Sequence, residues 1–158
     1  MEKHEQLTAI LNDLIQIHND RIKGYEKALS DTGGNSAYEG LFNKMIEQST
    51  GLRQQLTSEV RQIGGEPEWN TTTNTGKLYR TWMDLKTAFT GKTDLSTLEL
   101  CEFGEDAAQT AYSDAISETA DMPEATRTLL INQKIELKDS HDLIKNNRDI
   151  EKSRRAEL

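Results

Sequence analysis

Glu102 and Glu105 stand three residues apart in the stretch LELCEFGEDAAQTAY, and on a helix that spacing puts both carboxylates on adjoining parts of one face. The rest of that face is apolar, with Leu98, Cys101, Ala108 and Tyr112. His18, in an earlier stretch, and His141, in a later one, each fall in line with a stripe of apolar residues. Carboxylates and imidazoles directed into a helical interior support two kinds of chemistry. One is a hydrogen-bonded or ionic layer that fixes helix register, since a buried carboxylate without a partner is costly. The other is a metal centre, because the same donor types hold iron, manganese or zinc. Both readings set Glu105 against His141. The metal reading takes Glu102, Glu105 and His141 as ligands, with His18 as a fourth. Cys101 reads as a buried thiol with no base placed to activate it, and no catalytic residue is assigned.

The elements that must position these groups are helices. Leu7, Leu11, Leu14, Ile22, Tyr25 and Leu29 repeat at three-four spacing with His18 in the gap, which predicts a helix over about 4–31. DTGGNS ends it, with Gly33 and Gly34 as stop residues and Ser36 with Glu39 as a capping box. The next stripe, Tyr38, Phe42, Met45, Ser49, Leu52, Leu56, Val60 and Ile63, predicts a helix over about 36–63 that stops at Gly64-Gly65. Its short connection makes it antiparallel to the first. A third helix is expected over about 95–120, capped by Asp94 or Ser96, and a fourth over about 123–150, with Pro123 in its first turn. The fourth stripe reads Leu130, Gln133, Leu137, His141, Ile144 and Arg148, and EKSRRAEL beyond it reads as a frayed end.

The connection from Gly64 to Asp94 is too long for a tight turn between neighbours. After the Thr- and Asn-rich EPEWNTTTNTG, KLYRTWMDLKTAFTG predicts a short amphipathic helix over about 77–90 that carries Trp82. The connection therefore reads as a crossover climbing the bundle, so that the first and last helices run one way and the middle two the other. A rise of about 1.5 Å per residue then brings His18, Ser49, Glu105 and His141 to similar heights near mid-bundle.

Composition narrows the function classes. The 158 residues fit one domain over 1–158. A formal charge of -8 argues against nucleic acid and anionic membranes as partners. One cysteine rules out an internal disulfide, no apolar run reaches membrane-spanning length, and MEKHEQLTAILND lacks a signal-peptide core. The expectation is a cytoplasmic protein.

Five pieces in order, LNDLIQIHNDRIKGYEKAL, GGEPE, GKLYRTWMDLK, CEFGED with AYSDAI downstream, and HDLIK, resemble an uncharacterised bacterial family of four-helix-bundle proteins in the ferritin-like and rubrerythrin-like group. The resemblance spans about Leu7 to Arg148 and implies an all-α, ferritin-like up-down-down-up bundle with a long crossover. It implies no activity. The wider group holds two metals through a Glu on two helices and a Glu-x-x-His pair on the other two, and this chain departs from that pattern. Lys138 stands three before His141, and Ser49 takes the inward place on the second helix. The expected function is a structural or interaction module with a buried Glu/His layer, the alternative being a mononuclear or degenerate metal site. A homodimer or protein interface is expected on the outer faces of Ile131, Ile135 and Leu143.

Overall fold

The computed structural model describes residues 3–31, 37–68, 93–118 and 121–156. Among them stand four long helices and no strand: α1 (Lys3–Asp31), α2 (Glu39–Gln62), α3 (Asp94–Glu118) and α4 (Glu124–Ala156). The expected crossover helix over 77–90, Trp82, Ser36 and the Gly33-Gly34 stop lie outside the described residues.

Side-chain bonds between helices fix their directions. From α1 to α2, Arg21 reaches Ser49 and Asn19 reaches Arg53; from α3 to α4, Glu102 meets Arg148, Asp106 meets His141 and Tyr112 meets Gln133. In both pairs one number rises as the other falls, so the partners are antiparallel. The same holds between α1 and α3, where Tyr25 reaches Glu105 and His18 reaches Tyr112. Between α2 and α4, Glu59 meets Thr126 and Gln48 meets Ser140. These four antiparallel neighbours define an up-down-down-up bundle with α1 diagonal to α4. Residues 63–68, which follow α2, run along α1. The Asn12 amide donates to the Glu66 carbonyl at 3.0 Å and its Oδ1 accepts from the Glu68 backbone N–H at 2.9 Å.

The core has two apolar parts. At one end Leu7, Leu11, Leu14, Leu52, Leu56, Val60, Leu130 and Leu137 pack together. At the other Tyr25, Phe42, Met45, Leu98, Cys101 and Ile144 do so. Burial of these side chains is the main force holding the helices together, on the order of 2 kcal/mol for each large one.

The helix ends differ in detail from the sequence reading. α2 starts at Glu39 rather than 36, with Tyr38 at the cap and no side-chain capping bond. The Tyr38 hydroxyl instead donates to Glu151 at 2.6 Å. For α3 the cap is Thr93, not Asp94 or Ser96. Thr93 Oγ1 accepts from the Ser96 N–H and Ser96 Oγ accepts from the Thr93 N–H, both at 3.1 Å, a reciprocal capping box. α4 starts one residue after Pro123 and continues to Ala156, past the expected end near 150. Glu151, buried beneath Tyr38 and bonded by Arg154 at 3.4 Å, holds that last turn in place. The stop at Gly64-Gly65 forms as expected. Gly64 takes φ 86°, its N–H reaches the Arg61 carbonyl at 3.0 Å, and the Gly65 N–H reaches Val60 at 2.9 Å, the Schellman pattern.

Candidate functional site

Between the two apolar parts lies a polar layer to which all four helices contribute. Arg21 and Glu105 are its centre, both with essentially no exposure. Arg21 Nε donates to Glu105 Oε1 at 2.7 Å, and the Tyr25 hydroxyl donates to the same oxygen at 2.6 Å. Burial opposes the charge on Arg21, but Glu105 outweighs it and the guanidinium is held more firmly protonated than usual. Its other nitrogens reach the Met45 carbonyl at 3.3 Å and the Met45 sulfur at 3.4 Å, and its plane sits 5.3 Å from the centre of the Tyr25 ring. Burial, then Glu105, push the Tyr25 hydroxyl and the Cys101 thiol well above their usual pKa values.

From Arg21 the bonds continue in one direction. Arg21 Nη1 donates to Ser49 Oγ at 2.7 Å, so the Ser49 hydrogen is left for His18 Nδ1 at 3.0 Å. His18 Nε2 then donates to the Tyr112 oxygen at 2.6 Å, and Tyr112 donates to Gln133 Oε1 at 2.6 Å. Gln133 Nε2 ends the chain on the Leu52 carbonyl at 3.2 Å and Gln55 Oε1 at 3.0 Å. This ordering requires a neutral His18. Burial and the positive charge of Arg21 supply one, depressing the imidazole pKa to about 3. Every donor along the path finds an acceptor, which stiffens the layer and fixes helix register.

The sequence-derived site residues therefore separate. Glu105 and His18 belong to this central layer, with Arg21 and Ser49 between them. His141 does not face Glu105. Its Nε2 lies 2.5 Å from Asp106 Oδ1 and its Nδ1 lies 3.1 Å from Asp142 Oδ1, on the seam between α3 and α4. Glu102 shares that seam and pairs with Arg148. The inward place on α4 belongs to Ser140, which is buried and donates to Gln48 at 2.9 Å. One residue is about 100° of helix, enough to turn His141 from the centre to the seam.

Arg21 and Asp106 escape the sequence reading. Positions 7, 11, 14, 18, 21, 25 and 28 are all buried at strict four-three spacing. The signal for Arg21 was that progression, masked by the apolar Ile22 beside it. Asp106 stands one turn beyond Glu102 and had no apolar stripe to mark it.

The family model described as Domain of unknown function (DUF2383) matches residues 6–118. The chain belongs to this family. Among solved structures, it is similar to a Dps1 mutant from Mycobacterium smegmatis, with a TM-score of 0.78 and 14% identity over 94% of this chain and 99% of that one. It is also similar to a ferritin-like, diiron-carboxylate protein from Bacillus anthracis str. Ames, with a TM-score of 0.57 and 14% identity over 94% and 95% of the two chains. No curated protein matches it. At these identities the likeness is one of fold, and the fold is the ferritin-like four-helix bundle.

The central layer does not suit the paired metal ions that the ferritin-like group holds at mid-bundle. That arrangement needs four carboxylates and two imidazoles. Among the described residues the layer offers one carboxylate, Glu105, already neutralised by Arg21, and one imidazole, His18, with both nitrogens engaged. A fixed guanidinium beside that carboxylate repels a further cation.

Proposed function

We propose that this DUF2383 chain is a non-catalytic bundle module, one domain over 1–158 acting in the cytoplasm, that presents a rigid helical surface to a partner. The Arg21–Glu105 pair carries this reading: the interior charge is balanced by the chain's own residues, so the centre serves register rather than ligand chemistry. The cytoplasmic assignment draws support from a single, buried cysteine. Among the described residues no helix is long and apolar enough to cross a membrane.

The surface offered to a partner is the outer face of α4. Ile131, Ile135 and Leu143 are exposed there. Ile131 and Ile135, with Ser113, Ile116, Lys134 and Lys138, line a shallow groove of about 380 Å³. Isolated exposed apolar residues are ordinary, but Ile131 and Ile135, one turn apart beside a groove, favour association, first of all with a second copy. Sedimentation of the intact chain tests the reading. Concentration-dependent dimerisation, abolished by Ile135→Glu with helicity retained, supports it. A monomer at high concentration that captures no partner overturns it. Iron reconstitution gives the second arm: stoichiometric loading that Glu105→Gln abolishes would restore a metal role to the centre.

A further inference from the structure

Away from the central layer, one group of side chains has the composition of a ligand set. Glu102 and Asp106, one turn apart on α3, and His141 on α4 each bring one donor atom to the same place, with all three atoms within 4.8 Å of one another. We propose that this cluster on the α3/α4 seam binds a divalent transition metal of the zinc class through Glu102, Asp106 and His141. The proposal goes beyond the module reading and does not depend on it.

Two carboxylates and one imidazole are donor types that zinc accepts, and three protein ligands leave the fourth position for water, as in an open site. The imidazole is oriented for the task. Asp142 Oδ1 lies 3.1 Å from Nδ1, which turns Nε2 toward Asp106 at 2.5 Å. A carboxylate behind the far nitrogen is the usual means of aiming a ligand histidine. In the metal-free protein the Nε2 hydrogen lies between His141 and Asp106, and the ion takes its place. Ligand bonds of about 2.0–2.2 Å require the donor atoms to close to roughly 3.3 Å of one another. Movement of side chains alone supplies this, because Asp106 is 61% exposed and Glu102 is long and only partly buried.

Arg148 is the competing cation. Its Nη1 donates to Glu102, so the ion must displace a guanidinium to recruit that ligand. The site is thus tuned from within, and removing Arg148 strengthens it. A purely structural seam shows no such gain.

Calorimetric titration of zinc chloride into the intact, untagged chain tests the assignment, with cobalt(II) absorption reporting coordination. The expected result is one equivalent bound with a dissociation constant below about 100 µM, weakened roughly tenfold or more by His141→Ala and by Asp106→Asn. Arg148→Gln is expected to tighten binding several-fold, while His4→Ala and His18→Gln leave it unchanged. Circular dichroism confirms that each variant is folded, and the two seam variants are independent of one another. Absence of stoichiometric zinc, undiminished affinity in both seam variants, or weaker binding in Arg148→Gln overturns the proposal.

Discussion

Arg21 donates to Glu105 at 2.7 Å in the centre of the bundle, where neither residue has solvent to replace the other. Removing one partner of a buried pair leaves an uncompensated charge, which costs about 3–5 kcal/mol. Arg21→Met and Glu105→Gln are each expected to lose stability in that range by urea denaturation. The double variant Arg21→Met, Glu105→Gln is expected to regain a large part of it, because no charge is then left alone. Losses that simply add in a comparable double-mutant cycle would show that the two groups do not depend on each other.

His18 gives the layer a pH dependence of known sign. Its folded pKa of about 3 lies below the ordinary value of 6.5, so the unfolded chain takes up the proton first. Stability is therefore fully present above pH 6.5 and is lost as pH falls toward 3, with a drop of about 2 kcal/mol between pH 7 and 5. In His18→Gln, which keeps a donor and an acceptor but cannot be charged, that part of the slope should vanish. An identical slope in both proteins between pH 7 and 5 excludes His18 as its source.

Tyr112 is the joint between α1, α3 and α4. Tyr112→Phe removes one hydroxyl and strands His18 Nε2 and Gln133 Oε1 at once. The expected cost is about 1–3 kcal/mol. Because the phenyl ring still fills the space, a loss in that range isolates the hydrogen bonds from packing, and an unchanged urea midpoint would show that the hydroxyl carries no stability.

Cys101 is fully buried, and burial with nearby Glu105 raises its thiol pKa. A thiol rather than a thiolate reacts slowly. Ellman's reagent should modify it only on the timescale of global unfolding, and rapid labelling of the folded chain would contradict its placement.

Gly64 tests the end of α2. At φ 86° an added Cβ is strained whatever the space around it. Gly64→Ala should lower stability by about 1 kcal/mol, measurable as a shift in the urea midpoint. Gly40 and Gly51 have open space around them and serve as controls. Alanine at Gly51, inside α2, should be neutral or stabilising.

The helices themselves were legible in the sequence, because burial of one face imposes a period that the chain must carry locally. The α2 stripe from Tyr38 to Val60 is buried as read, and the length of residues 63–93 already implied a crossover and hence the directions of α3 and α4. The heights were legible too, since rise per residue is fixed: Glu105 and His141 were read at one level, and His141 meets Asp106, the residue next to Glu105. Rotation about each helix axis was not. A one-residue ambiguity moves a side chain by about 100°, and only the packing of neighbouring helices chooses between Ser140 and His141, or between Arg21 and Ile22. That choice decided the chemistry. It gave Glu105 a guanidinium instead of an imidazole, closed the centre with the chain's own charges, and left Glu102 and His141 together on the seam with Asp106.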